Sequence, residues 1–193
     1  MADFSVVVCA SGRGDNFKTL VEKQQEHGCA ITSLIVDRPC KAADYARERG
    51  IPVHELKVEP GWEERFLQLT SAASLIVLAG FLPILSRRIC EALPHRIINL
   101  HPSLLPAYGG RGMYGFKVQE AVLAAHESEA GCTVHYVTAD IDGGPIISRD
   151  SLKINYPITA QELAAQVHEL ELKLLPKTLA TLRLLHNLRS PVR

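Results

Sequence analysis

Apolar residues in the first half of the chain fall into short continuous runs that alternate with mixed apolar and polar stretches. Continuous runs rich in Val, Ile and Leu are typical of strands that are buried on both faces of a sheet. They predict a short strand near Val53 and four longer ones at residues 4–10, 31–36, 75–79 and 97–100. Helices are predicted between the strands at residues 16 to about 25, 42–49, 62–69 and from Ser86, a candidate N-cap. This alternation predicts an α/β fold with an open, mostly parallel, twisted sheet flanked by helices on both faces.

The second half of the chain has a different pattern. It predicts a helix at about residues 115–125, then an antiparallel element of two strands at residues 132–137 and 145–154. A long amphipathic helix is predicted from about residue 160 to 188. Because proline has no backbone N–H, Pro176 should kink or divide this helix. No repeat, low-complexity tract or linker interrupts the chain, so residues 1–193 are predicted to form one domain.

Composition narrows the class of protein. Lys plus Arg and Asp plus Glu both number 21, and this balance argues against a broad surface for nucleic acid or anionic membrane. No apolar run approaches the roughly 20 residues of a membrane helix, and the N-terminus lacks the pattern of a signal peptide. The five cysteines are scattered and contain no CxxC pair, which favours a reducing, cytoplasmic setting without a disulfide framework.

The segment GRGDNF, residues 12–17, follows the first predicted strand and precedes a helix. An adhesive RGD loop belongs to secreted proteins, and a dinucleotide fingerprint requires a third glycine where Phe17 stands. No Gly-Lys-Ser/Thr follows, so a Walker loop is excluded as well. Two alternatives remain open. The segment is either a phosphate cradle at a helix N-terminus or a tight turn whose glycines serve conformation alone.

A second group of chemically capable residues lies at the end of the last parallel strand. Asn99 and His101 are two residues apart, so they share one face of an extended strand, where they could stabilise an oxyanion. Asp142 precedes Gly143 and Gly144 in a predicted turn. A carboxylate beside His101 would raise the imidazole pKa and fix its orientation. Taken singly, each residue also fits an ordinary structural role, as a hydrogen-bonded histidine or a turn-capping carboxylate.

Four segments in this order, SGRGDNF, LAGFLPILS, NLHPSLLPAYGG and VHYVTADIDGGPI, closely resemble the folate-dependent formyltransferase family. The Gly-rich loop resembles the members whose amine substrate is glycinamide ribonucleotide. The resemblance covers essentially the whole chain and implies a Rossmann-like formyltransferase fold. It implies a phosphate-binding half at about residues 1–98 and a catalytic, folate-binding half at about 99–193. The implied activity transfers a formyl group from 10-formyltetrahydrofolate to that amine in purine biosynthesis.

The resemblance also implies roles for individual residues. Asn99 and a protonated His101 would donate to the formyl oxygen, while Asp142 keeps His101 cationic and assists proton transfer through a water. The substrate phosphate would lie at Gly14, Asp15 and Asn16, and Glu171 would hold the ribose hydroxyls. The walls of the folate pocket would be Phe81, Leu82, Ile84, Leu85, Thr138, Ala139, Asp140 and Ile141.

The partners that the resemblance implies are the two small molecules, with no metal, nucleic acid or membrane, and the assembly is expected to be a monomer or homodimer. No histidine lies in a metal-ligand spacing such as HExxH.

Three positions depart from the family pattern. Asp15 stands where Ser or Thr is usual, and a carboxylate near a phosphate is repulsive. Pro83 replaces a common arginine. Residues 108–115 contain four glycines, which predict a mobile substrate loop with Arg111 as a candidate contact to phosphate or carboxylate.

Other functions remain as alternatives. A methionyl-tRNA formyltransferase would need a further C-terminal domain, and a formyltetrahydrofolate deformylase would need a regulatory domain and a histidine at Pro102. A sugar-nucleotide N-formyltransferase shares the Asn-His-Asp trio but has no reason for the phosphate loop. A non-catalytic folate- or nucleotide-binding module is the alternative from a different class.

Overall fold

Seven strands form a single sheet in the computed structural model of the protein, which describes residues 4–189. The strand order is β3-β2-β1-β4-β5-β6-β7. The parallel strands are β1 (Ser5–Ala10), β2 (Ala30–Val36), β3 (Val53–Glu55), β4 (Leu75–Leu78) and β5 (Ile97–His101). The antiparallel strands are β6 (Glu129–Tyr136) and β7 (Ile146–Lys153). The predicted fold class is confirmed.

Seven helices flank the sheet in the described part of the chain. They are α1 (Asp15–Glu22), α2 (Gln24–His27), α3 (Lys41–Glu48), α4 (Trp62–Thr70), α5 (Arg87–Ala92), α6 (Phe116–Ala124) and α7 (Ala160–Arg189). The predicted N-cap of α5 is present, since the Ser86 hydroxyl accepts a hydrogen bond from the Ile89 N–H. Among residues 4–189, no helix has the length and apolarity needed to cross a membrane.

The first predicted helix is divided in the structure. α1 ends before Lys23, and α2 starts immediately after it. The Gln24 side chain donates to the Val21 carbonyl at 3.2 Å and accepts from the Ile31 N–H at 2.9 Å. This amide ties the break between the helices to β2, a long-range contact that local sequence does not reveal.

The C-terminal helix is continuous at Pro176, where the sequence predicts a kink or a division. A division is wrong, because α7 is a single helix of 30 residues with Pro176 buried inside it. Buried leucines on both sides of the proline, including Leu163, Leu175 and Leu179, pack this helix against the sheet. Burial of several leucines at roughly 1.5–3 kcal/mol each offsets the loss of one hydrogen bond at proline.

Two buried clusters lie on opposite faces of the sheet, because consecutive residues of a strand point to opposite sides. Val6 packs with Leu163 and Leu175 of α7, whereas Val7 packs with Phe66 of α4 and Ile89 of α5. The sheet is therefore buried on both faces, as its continuous apolar runs predict.

The strand register determines where a ligand can bind. Cys9 of β1 pairs with Leu78 of β4, and Leu78 pairs with Asn99 of β5. The segments that follow these three strands therefore meet at one edge of the sheet. In open α/β sheets, ligands bind at the carboxyl ends of the strands where the strand order reverses.

Candidate active site

A cleft of about 660 Å³ opens at this edge of the sheet. Its walls come from the Gly-rich turn after β1, the segment after β4, the end of β5, the loop before α6, the loop after β6 and α7. Nearly all of the predicted site residues line it: Gly14, Asp15, Asn16, Phe81, Leu82, Ile84, Leu85, Asn99, His101, Thr138, Ala139, Ile141, Asp142 and Glu171.

Asp140 is the exception among the predicted folate-pocket residues. Its side chain is exposed, and it does not line the cleft. Its backbone carbonyl accepts hydrogen bonds from the Gly143 N–H at 3.1 Å and from the Thr138 hydroxyl at 3.2 Å. The backbone carbonyl of Asp140 therefore holds the turn that presents Asp142.

Asp142 contacts the other polar side chains at the centre of the cleft. One carboxylate oxygen, Oδ2, accepts a hydrogen bond from the Gly110 N–H at 2.9 Å and lies 3.6 Å from His101 Nδ1. The other, Oδ1, lies 3.4 Å from Asn99 Nδ2 and 3.5 Å from His135 Nε2. The structure thus brings the predicted trio of Asn99, His101 and Asp142 together.

Burial alone would raise the pKa of Asp142, because it penalises the charged carboxylate. The contact with His135, the Gly110 N–H and the nearby His101 outweigh burial and hold the pKa of this carboxyl below its ordinary value. The backbone of Asp142 has a φ of 54°, in the left-handed region. Such a conformation is uncommon outside glycine, Asn and Asp, and it turns the side chain into the cleft.

The imidazole of His101 has an acceptor near each ring nitrogen. Nε2 lies 2.9 Å from the backbone carbonyl oxygen of Tyr108, and Nδ1 faces Asp142. Burial of the ring is nevertheless the largest influence, and it lowers the pKa of His101 below its ordinary value despite the opposing effects of Asp142 and Tyr108. Asp142 acts in the predicted direction, but burial outweighs it, and a cationic His101 stays a prediction.

His135 belongs to the same cluster, and the sequence did not single it out. It lies on β6 directly opposite Asn99 of β5. Its Nδ1 is 2.9 Å from the Tyr136 carbonyl oxygen, a contact that requires N–H on Nδ1. Its Nε2 lies 3.2 Å from Asn99 Nδ2 and 3.5 Å from Asp142 Oδ1. His135 therefore contacts both Asn99 and Asp142, and only the antiparallel pairing of β5 with β6 could have indicated it.

The opposite end of the cleft is formed by the N-terminus of α1 and by α7. Gly14 is the N-cap of α1 and provides no side-chain cap, so N–H groups of the first turn are left without helical partners. Glu171 Oε2 lies 3.0 Å from Asn16 Nδ2 and 2.8 Å from His168 Nδ1. The hydrogen bond that His168 donates to Glu171 is the main cause that raises the pKa of His168. His168 was not predicted, although its position three residues before Glu171 places both on one face of the helix.

Gly14 has a structural explanation besides ligand binding. Its φ is 74°, and a Cβ at this position would lie 2.5 Å from the Cβ of Ala42. α3 therefore packs directly against the Gly-rich turn. Gly12, by contrast, would have nothing within 4 Å of an added Cβ. One glycine of the segment therefore serves conformation and packing, and the turn also places the α1 N-terminus in the cleft.

Comparisons with known proteins agree with this geometry. A protein-family model described as formyl transferase matches residues 4–179. The chain belongs to the formyl transferase family.

The relatives include a phosphoribosylglycinamide formyltransferase of Bacillus subtilis, which is 31% identical over 93% of this chain and 95% of its own length. A chloroplastic phosphoribosylglycinamide formyltransferase of Arabidopsis thaliana is 34% identical over 88% of this chain, but the chain spans 62% of that relative's length. The crystal structure of phosphoribosylglycinamide formyltransferase from Anaplasma phagocytophilum matches with a TM-score of 0.85 at 31% identity. That match covers 92% of this chain and 86% of the other.

Among the residues that the structure describes, no group of three or more His, Cys, Asp or Glu side chains is arranged to hold a metal ion. The acid and imidazole groups of the cleft are instead paired with one another and with backbone groups. Their arrangement suits hydrogen bonding and proton transfer.

Proposed function

We propose that the protein transfers a formyl group from 10-formyltetrahydrofolate to the primary amine of glycinamide ribonucleotide, a step of purine biosynthesis. The observation that carries this proposal is one cleft with two chemically distinct ends. The Asn99, His101 and Asp142 cluster lies at one end, and the α1 N-terminus with Glu171 lies at the other. The names of the Bacillus and Arabidopsis relatives and the family membership support the same activity.

The substrate phosphate is proposed to bind at Gly14, Asp15 and Asn16. Unpaired N–H groups at a helix N-terminus, together with the helix dipole, favour an anion there. Beside this site, the Asn16 Oδ1 atom is buried and has no hydrogen-bond donor among the described residues. A ribose hydroxyl is a suitable donor for it. Glu171, whose side chain is 12% exposed, is proposed to accept from a second ribose hydroxyl.

The folate part of the cosubstrate is proposed to lie along the segments after β4 and β6. Leu82 and Ile84 are 49% and 57% exposed and line the cleft, so they offer an apolar wall to a ligand. An apolar wall of this kind suits a flat heterocycle. Bound there, 10-formyltetrahydrofolate supplies the formyl carbon that the amine attacks.

Two side chains are proposed to stabilise the negative charge that grows on the formyl oxygen. Asn99 Nδ2 is one donor, and the ring N–H of His101 is the other. A neutral imidazole keeps one N–H, so a lowered pKa does not remove this role. The N–H of His101 would exchange the Tyr108 carbonyl for the formyl oxygen. Preorganised donors of this kind are each worth about 3–4 kcal/mol in the transition state.

Asp142 is proposed to accept the proton that the attacking amine loses, directly or through a water. The same proton then passes to N10 of the folate as the bond between N10 and the formyl carbon breaks, which releases tetrahydrofolate. A carboxyl with a lowered pKa stays ionised at neutral pH, as a proton acceptor must. The Gly110 N–H holds its Oδ2 atom in place.

Substitution of His101 distinguishes this enzyme from a binding module. His101→Ala should lower kcat about 10²- to 10³-fold, as for the loss of an oxyanion donor, while the affinity for ribose 5-phosphate stays unchanged. His54→Ala is a suitable control, because His54 lies on β3 and does not line the cleft. A parent protein that binds ribose 5-phosphate without turnover of any formyl donor would instead support the binding module.

The cytoplasm remains the proposed location, and a monomer or homodimer remains the proposed assembly. One relative is named as chloroplastic, so location within the family varies. Cell fractionation tests the first proposal, and sedimentation velocity tests the second.

A further inference from the structure

Asp15 places a carboxylate at the proposed phosphate site, and three cationic or titratable groups surround it. Its Oδ2 atom lies 3.1 Å from Arg13 Nε and 3.7 Å from His168 Nε2. Its Oδ1 atom accepts from Lys18 Nζ at 3.2 Å. These three groups come from the turn after β1, from α1 and from α7. Glu171 faces His168 from the same helix, on the ring nitrogen away from Asp15.

The carboxylate does not cap the helix that it begins. The N-cap is Gly14, and the contacts of the Asp15 side chain go to Arg13, Lys18 and His168. Asp15 therefore leaves the N–H groups of the first turn to a ligand. The Asp15 carboxylate lies between the three side chains, in the position that a second anion would take.

We propose that Asp15 is an internal counter-ion, which the phosphate group of the substrate displaces. In the free protein the carboxylate partly neutralises Arg13, Lys18 and His168. When a phosphate monoester binds, these groups turn to its oxygens, and Asp15, whose side chain is 31% exposed, rotates towards solvent. Asp15 is thereby the residue that sets the affinity of the site for phosphate. This inference rests on the proposed function, since it takes the anion at this site to be the phosphate of the amine substrate.

The apparent affinity of every phosphate ligand is its intrinsic affinity multiplied by the fraction of molecules in which the carboxylate has left its cations. Displacement therefore weakens the binding of every phosphate ligand by the same factor. The exposed ion pairs that hold the carboxylate are individually weak. Three such pairs acting together predict a common factor of about tenfold.

Isothermal titration calorimetry with inorganic phosphate and with ribose 5-phosphate tests this, at one pH and one ionic strength. Asp15→Asn should tighten the dissociation constants of both ligands by the same factor of about tenfold. Asp15→Ser serves as a second variant with a different side-chain volume. Asp44→Asn is the matched control, because Asp44 is an exposed helical aspartate with an i,i+3 pair to Arg47 and does not line the cleft.

Unchanged or weaker binding in both Asp15 variants would overturn the inference, because it would mean that the carboxylate supports the site. Tightening by clearly different factors for the two ligands, or equal tightening in Asp44→Asn, would overturn it as well. The titration contains neither formyl donor nor amine. Failure of this inference therefore appears in the titration, and failure of the proposed function appears in the turnover assay alone.

Discussion

Replacing Asp142 by Asn removes one negative charge from the centre of the cleft and leaves the shape of the side chain almost unchanged. In the parent protein, one carboxylate oxygen lies 3.6 Å from His101 and the other lies 3.5 Å from His135. The amide keeps only one oxygen that can accept a hydrogen bond, and it carries no charge. The amide is not a proton acceptor at neutral pH. Loss of a positioned proton acceptor lowers rates about 10²- to 10⁴-fold, which corresponds to about 3–5 kcal/mol in the activation free energy.

Stability should respond far less than rate. The amide introduced by Asp142→Asn would retain one carbonyl oxygen to accept from the Gly110 N–H, which lies 2.9 Å from the carboxylate in the parent protein. The lost charge-assisted character of this hydrogen bond is worth about 1 kcal/mol, and relief of the buried charge offsets part of it. We therefore expect a change of about 1 kcal/mol or less in the free energy of unfolding.

The assay is steady-state formyl transfer at saturating amine and formyl donor, accompanied by calorimetry with ribose 5-phosphate. Asp140→Asn is the control, because it makes the same chemical change two residues away on an exposed side chain that does not line the cleft. The affinity for ribose 5-phosphate should be the same in both variants. If Asp142→Asn retained kcat within about tenfold of the parent, equivalent to about 1.4 kcal/mol, proton transfer through Asp142 would be refuted.

Two further predictions concern packing and protonation. Gly14→Ala should lower the free energy of unfolding by about 2–4 kcal/mol, because the backbone is left-handed there and the added Cβ would clash with Ala42. Gly12→Ala should change the free energy of unfolding little. Equal effects of the two substitutions in urea denaturation would contradict this prediction. Histidine titration by nuclear magnetic resonance should give a pKa below 6.5 for His101 and above 6.5 for His168. His101 is then neutral at pH 7 and gains its proton only as the pH falls; a pKa of His101 above 6.5 would restore the cationic mechanism.

The strands could be predicted from the sequence because their burial on both faces leaves continuous apolar runs. Every predicted strand exists, with ends displaced by a few residues. Elements decided by distant contacts could not be predicted in the same way. The Gln24 side chain fixes the break between α1 and α2 by bonding to β2, and the packing of α7 preserves a helix through Pro176. Local propensity carries no information on either contact.

Residues of the candidate site could be predicted where neighbouring sequence determines their position. Asn99 and His101 share a strand face by spacing alone, and Asp142 lies next to a Gly-Gly turn. Their protonation was not predictable, since the sequence indicates a neighbouring charge but not how deeply the ring of His101 is buried. His135 required knowledge of strand pairing. The helical spacing of His168 and Glu171 can be read from the sequence. Their place in the site follows only from the structure, which brings α7 beside the α1 N-terminus.

One competition experiment distinguishes glycinamide ribonucleotide from a sugar-nucleotide amine as the substrate. Purified protein receives 10-formyltetrahydrofolate with equal concentrations of glycinamide ribonucleotide and a sugar-nucleotide amine, and formylated products are quantified by mass spectrometry. We expect formylated glycinamide ribonucleotide as the main product, formed in step with consumption of the formyl donor. Formylation of the sugar-nucleotide amine alone, or release of formate that does not depend on either amine, would contradict it.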